Sequence, residues 1–217
     1  MWLMRPPGVY PVQGDTALLV ESLTAEQIHA GVRCLDLGTG SGAVALAAAR
    51  LGAEVTAVDV SWLALATAWS NGLLRRQRLH LRHGDLTRPV RLQVFDLVVS
   101  NPPYVPAERT GAPRHGPARA WDAGRDGRLL LDRICREAPG LLSPGGVLLV
   151  VQSSLAGVRA TVGAMEDAGL RAEVVARRRQ VFGPVMTARA DWFERRGLIR
   201  PGVREEELVV VRGVRGC

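Results

Sequence analysis

From residue 32 onward the chain alternates short apolar runs with longer segments of helical periodicity. This alternation constrains the fold more than any other feature. VRCLDL (32–37) reads as a buried strand, followed by GAVALAAARLG (42–52), an Ala-rich helix ended by glycine. EVTAVDV (54–60) is the next strand, and Trp62, Ala66, Trp69 and Leu73 then recur at helical spacing as one apolar face. LHLRH (79–83), FDLVVS (95–100) and GGVLLVVQ (145–152) are further strands. Helices are expected around 127–138, on Leu130, Leu131, Ile134 and Ala138, and after 155, on Leu155, Val158, Val162, Met165 and Gly169. Strands separated by helices need crossover connections, which make the strands parallel and place helices on both faces of the sheet.

The last two strand-like runs, RAEVVAR (171–177) and ELVVVR (207–212), break this rhythm because no clear crossover helix joins them. Residues 179–207 form an extended connection far longer than antiparallel neighbours require, with a helix expected near 187–196 carrying Trp192 and Phe193. The segment is expected to wall the substrate side, with Phe182, Trp192 or nearby arginines reaching an acceptor. Residues 105–126 read as a long structureless loop, a type of segment that is usually functional in compact domains.

A chain of 217 residues has room for one large core and little more, so a single domain over 1–217 is expected. No apolar run approaches the length of a membrane span, and the start MWLMRPPGVY lacks a signal-peptide core, so a cytoplasmic location is the default. The net charge of +7 suggests nucleic acid, but all 28 basic residues are arginine. The clusters RRQR (75–78) and RRR (177–179) have no interleaved aromatic residues on which bases could stack, and read as solvated surface. Cys34, Cys135 and Cys217 are far apart, and His29, His80, His83 and His115 match no ligand spacing, so neither a metal site nor a disulfide framework is expected. Cys34 lies in a strand-like run and reads as a small core residue.

The chemistry-bearing residues fall at strand ends. DLGTGSG (36–42) joins the first strand to the first helix of the alternation; Gly38 and Gly40 permit a tight turn and close approach of a ligand to the backbone. Asp36 can pair with a cationic ligand group, and Asp59, at the end of the second strand, is placed to hold a ribose diol. Asp85, followed by Leu86, ends the third strand. Each acid alone could be a loop cap, but three at successive carboxyl edges mark a ligand site. NPPY (101–104) follows the fourth strand, where two prolines stop the sheet and stiffen a turn that presents an amide and a phenol.

The order DLGTGSG, AVDVS, GDL, NPPY resembles a class I S-adenosylmethionine-dependent methyltransferase of the amino-methylating branch. VYPVQGDTALL (9–19) and AWDAGRDGR (120–128) are similar to motifs of HemK-related protein glutamine methyltransferases in their short form. Pro11 falls one position earlier than that pattern has it, and only about 30 residues precede the first strand, so the N-terminal helical domain of the longer bacterial enzymes is not expected.

The resemblance implies a Rossmann-like, seven-stranded sheet in the order 3-2-1-4-5-7-6 with only strand 7 antiparallel. It further implies a cofactor-capping segment over residues 1–31. Tyr10 and Thr16 would border the methionine end of S-adenosylmethionine, Asp36 and Gly38 its amino-acid portion, Asp59 its ribose, and Asp85 with Leu86 its adenine. Asn101, Pro102, Pro103 and Tyr104 would be catalytic, with the Asn101 amide and the Pro102 carbonyl accepting the hydrogens of a planar –NH₂. The product would be S-adenosylhomocysteine. The acceptor implied is a protein glutamine, in the GGQ motif of a translation release factor; adenine N6 of DNA or RNA is the alternative. A small zinc-binding activator subunit is the partner implied for the short form.

Overall fold

β1 (Arg33–Leu37) is an interior strand of a seven-stranded sheet. Four of its five residues are buried, as a strand covered on both faces must be. β2 (Glu54–Asp59) and β4 (Phe95–Ser100) flank it in parallel, β3 (Leu79–His83) extends the sheet beyond β2, and β5 (Leu142–Ser153) runs parallel to β4. β7 (Glu205–Arg215) inserts antiparallel between β5 and β6 (Leu170–Val181), giving the order β3-β2-β1-β4-β5-β7-β6. Topology and the direction of the seventh strand both follow the expectation. The structure is a computed structural model that describes residues 3–111, 113 and 116–216; Cys217 and His115 lie outside the described residues.

The helices around the sheet are α1 (Gly14–Leu23), α2 (Ala43–Arg50), α3 (Trp62–Leu74), α4 (Leu131–Glu137), α5 (Val158–Asp167), α6 (Pro184–Ala188) and α7 (Ala190–Arg195). α1 packs on α2 and on β5, β6 and β7, which ties the N-terminal segment to the C-terminal half of the sheet. The core runs through β5 and β7, where Leu148–Val151 and Leu208–Val211 are wholly buried. Cys34 and Cys135 are buried as well. β6 is an edge strand with strictly alternating burial. Its RRR cluster is a guarded edge rather than a phosphate site: Arg177 pairs with Glu207 at 2.5 Å and Arg178 pairs with Glu21.

Several local expectations are corrected. The face of α3 carrying Trp62, Ala66, Trp69 and Leu73 points to solvent, whereas Ala64, Leu65, Ala68, Asn71 and Gly72 are buried. Close packing explains the inversion. Ala68 lies against Gly42, whose added Cβ would come within 3.0 Å of the Ala68 Cβ, and one on Gly72 would come within 2.9 Å of the Gln77 carbonyl. Small residues are required at those two contacts, while Leu65 and Asn71 are buried beside them. α4 begins at Leu131 rather than near 127 and passes into a 3-10 turn over Ala138–Leu141, whose Pro139 cannot continue an α-helical ladder.

Within 105–126 the chain is not structureless: Val105 bridges Asp122 in parallel, and Pro117–Ala120 form a 3-10 turn. β6 and β7 extend beyond the apolar runs, which shortens their connection to residues 182–204, and the helix expected near 187–196 is two short helices, α6 and α7.

Candidate active site

β1 carries Asp36 into the interior, where it is 1% exposed. Gly38, Gly40 and Gly42 then turn the chain sharply with φ of +76°, +54° and +82°, a left-handed path that a side chain would strain. The turn is fixed to β2, with the amides of Gly38 and Thr39 donating to the Val58 carbonyl at 2.9 and 3.1 Å. Asp36 Oδ2 accepts from Thr39 Oγ1 at 2.7 Å and from the Ala45 amide at 3.1 Å. Burial pushes the Asp36 carboxyl up to about 7 even so, the two hydrogen bonds opposing the shift and the neighbouring Asp59 charge adding to it. Asp59 closes the same turn by accepting from Gly40 N at 3.0 Å and Ser61 N at 2.8 Å, and burial raises its pKa as well.

These groups open onto a cavity of about 590 Å³ above the carboxyl ends of β1, β2 and β4. Asp85 and Leu86 also reach it. The Asp85 carboxylate is held by Arg133, with Nη1 and Nη2 each donating at 3.0 Å, so its charge is already met from α4. Leu86 has φ +48°, unusual for a branched residue, and is buried beside the cavity.

Asn101, Pro103, Tyr10 and Thr16 line the opposite wall. Asn101 Nδ2 donates to Thr16 Oγ1 at 3.1 Å, so the amide's donor end is occupied and its Oδ1 is left to accept. Pro102 and Tyr104 are buried beneath the turn. The hub below them is Asp15, whose Oδ2 accepts from the Tyr10 hydroxyl at 2.8 Å and from the Tyr104 hydroxyl at 2.9 Å. Burial, with the Asp15 charge next in importance, raises both phenols far above their usual range, so they stay protonated and donate. Gly127 (φ +74°) lets AWDAGRDGR pass close to NPPY: a Cβ there would sit 2.3 Å from the Tyr104 carbonyl oxygen.

A second cavity of about 330 Å³ adjoins the first and shares Tyr10, Pro11 and Pro117 with it. Tyr104, Gln180, Val185, Met186 and Glu206 line its far side. The connection between β6 and β7 therefore reaches this space through Gly183–Met186. Phe182 and Trp192, expected to face an acceptor, line neither cavity; Phe182 is buried edge-on against Phe193, which also meets Trp192. The nearest arginine of the segment, Arg189, instead pairs with Asp122 at 2.6 Å and donates to the Pro106 carbonyl. It braces the loop after NPPY.

Glu206 Oε1 accepts from Gln180 at 2.9 Å while its Oε2 has no partner among the described residues, and burial raises its pKa more than the Ser153 hydroxyl and Gln180 amide lower it. Sequence reasoning did not place Asp15, Gln180 or Glu206 in the site. For Asp15 the signal was its place within VYPVQGDTALL; for the other two there was none. No cluster of metal-ligating side chains occurs among the described residues. None of their helices is long and apolar enough to cross a membrane.

A parallel sheet in this strand order, with a glycine turn after β1 and acids at the ends of β1 and β2, defines the class: a Rossmann-like class I methyltransferase fold. Residues 1–113 match the family model "Methyltransferase small domain". A Methanocaldococcus jannaschii protein named as a protein N5-glutamine methyltransferase is 32% identical over 185 residues, covering 85% of this chain and 92% of its own. The release factor glutamine methyltransferase of Gloeobacter violaceus is 40% identical over 156 residues, or 67% of this chain, which spans only 54% of that enzyme's length.

Among solved structures, a chain of the E. cuniculi Mtq2–Trm112 complex, responsible for methylation of the eRF1 translation termination factor, superposes with a TM-score of 0.67 over 96% of this chain and 99% of that one, at 21% identity. The chain belongs to the methyltransferase small domain family, in its HemK-related class, and is a methyltransferase.

Proposed function

We propose that this chain transfers a methyl group from S-adenosylmethionine to a planar amide nitrogen, that of a protein glutamine. One observation carries the reading: Thr16 holds the Asn101 amide so that its oxygen is left to accept, at the seam between a cavity lined by acids and a second, smaller cavity.

The residues present fit the cofactor. Asp36 and the Gly38 and Gly40 turn suit its amino-acid end, Asp59 its ribose diol, and Leu86 its adenine, with Asp85 fixed alongside by Arg133; Tyr10 and Thr16 border the methionine end. When bound, S-adenosylmethionine supplies an electrophilic methyl group and leaves as S-adenosylhomocysteine.

The chain's own residues do the rest by positioning. An amide nitrogen is a poor nucleophile because its lone pair is delocalised. Asn101 Oδ1 and the Pro102 carbonyl accept its two hydrogens, which aims the lone pair and stabilises the positive charge that develops on nitrogen. Pro102 and Pro103 keep these acceptors rigid. Tyr104, tied to Asp15, gives the planar acceptor a flat apolar surface. Residues 1–31 cap the cofactor side, with the whole chain as one methyltransferase domain.

The relatives named for release factors make a glutamine of a translation termination factor the preferred acceptor. Incubation with labelled cofactor, a GGQ-containing release factor and nucleic acid tests this: label is expected on the glutamine. Label on adenine N6 alone would replace the reading with its nucleic-acid alternative.

A small partner subunit is part of the proposal. Trp62, Trp69 and Leu73 are 69%, 59% and 64% exposed on α3, beside the unpaired edge of β3, and form an apolar face that water covers poorly. A Trm112-like subunit would bury it. Concentration-dependent association of the isolated chain, relieved by such a subunit, is expected; a monodisperse and fully active isolated chain would remove the partner from the proposal.

A further inference from the structure

The larger cavity has an unbalanced charge pattern. Asp36 and Asp59 face it without an ion pair within 4.0 Å among the described residues, while Arg133 already meets the charge of Asp85. Among the described lining residues there is one cation, Arg119. It projects from the 3-10 turn Pro117–Ala120 and is half-buried. Its guanidinium makes no hydrogen bond and no ion pair within 4.0 Å among the described residues. Its charge is nevertheless felt at Asp59, where it opposes the burial that raises that acid's pKa. Five fork-shaped donors thus face a cavity wall without a protein acceptor.

The turn that carries Arg119 is firmly placed. Asp122 N donates to the Ala118 carbonyl at 2.8 Å, Val105 N to the Trp121 carbonyl at 2.8 Å, and Ala123 N back to the Val105 carbonyl at 3.1 Å. The ion pair between Asp122 and Arg189 pins the same stretch from α7's side. An arginine held this way is matched to a planar anion, which it grips through two parallel N–H donors.

We infer that Arg119 binds the free carboxylate of the amino-acid end of the cofactor, opposite the acids that take its amino group and ribose. The inference rests on the proposed cofactor and deepens it. Its consequence is that charge recognition of the cofactor comes from the loop following NPPY and not only from the strand ends.

The test is calorimetric binding of S-adenosylmethionine and of decarboxylated S-adenosylmethionine, which lacks only the carboxylate, to the wild-type chain and to Arg119→Gln. Arg119→Gln should weaken S-adenosylmethionine binding about tenfold, the scale of a partly exposed charge-assisted hydrogen bond. It should leave the decarboxylated ligand unchanged. Arg119→Lys should restore part of the loss without the bidentate grip. An equal loss for both ligands, or no loss for either, overturns the role of Arg119 while leaving the cofactor proposal intact. Failure of the wild-type chain to bind either ligand overturns the cofactor proposal, and this inference falls with it.

Discussion

The two halves of the sheet are built in opposite ways. Around β1–β3 the acids are held locally: Asp36, Gly38, Gly40 and Asp59 lie within 24 consecutive residues, with Asp36 accepting from Thr39 and Asp59 from Gly40 across a single turn. On the wall built from Asp15, NPPY and β6–β7, the ties reach far along the chain, apart from those that Tyr10 and Thr16 make to Asp15. Asp15 meets Tyr104 across 89 positions, Asn101 meets Thr16 across 85, and Gln180 meets Glu206 across 26. The comparison teaches that the acids at the core of the larger cavity are set by one stiff strand–turn–helix unit, whereas its outer wall and the smaller cavity need the whole tertiary fold. The first half can be shared by many methyltransferases; the second is where one of them differs from another.

The sharpest way to break the comparison is Asn101→Ala. It should lower methylation by about 10²–10³-fold, the usual scale for loss of a preorganised acceptor, while cofactor affinity measured by calorimetry changes little. Comparable losses in both would mean the halves are not separable. Next in size is replacement of residues 183–203 by a short turn. Methylation of the true substrate should fall by at least about tenfold, since the smaller cavity loses its Gly183–Met186 wall, with a smaller loss of cofactor affinity from the missing Arg189–Asp122 brace; unchanged methylation would place the acceptor elsewhere.

A pH series sharpens the cofactor half. Asp36 is protonated below about 7 in the folded chain, whereas an ordinary carboxyl is ionised well below that. Folding therefore takes up a proton between the two values, and this group's contribution to stability declines as pH rises through that window. Cofactor binding has the opposite sign, because its ammonium group favours ionised Asp36. Affinity should fall up to about tenfold per pH unit below 7, with proton release on binding near neutrality, read from calorimetry in buffers of different ionisation enthalpy. Pairing that is independent of pH between 5 and 8 would exclude Asp36 as the ammonium's partner. The smallest effect is expected from Tyr104→Phe. It removes one hydrogen bond to Asp15 and should cost about 1 kcal/mol of stability in denaturant unfolding, with Tyr10 still holding that carboxylate.

What the sequence made legible follows the same division. Strand ends and the glycine turn could be read because each is coded by neighbours, an acid closing an apolar run or glycines where φ must be positive; the strand order came from the family resemblance. The stripe on α3 misled because periodicity reports a face but not which face; the core took the side on which Ala68 and Gly72 allow close contacts beside the buried Leu65. Glu206 lies within REEE at the start of β7, where nothing in the local sequence marks it for burial, yet it is buried against Gln180. Arg119 is one of 28 arginines, and only the path of the loop after NPPY distinguishes it.

The position of β7 has a consequence for how such a chain comes into being. The seventh strand in chain order is not at an edge but between β5 and β6. As synthesis proceeds, the segment that becomes β6 emerges before the strand it must pair with, and its donors and acceptors wait in water until residues 205–215 slot in. A nascent chain can complete the cofactor-holding turn early, through contacts close in sequence, but cannot assemble Gln180, Glu206 and Tyr104 into one wall until that late strand arrives.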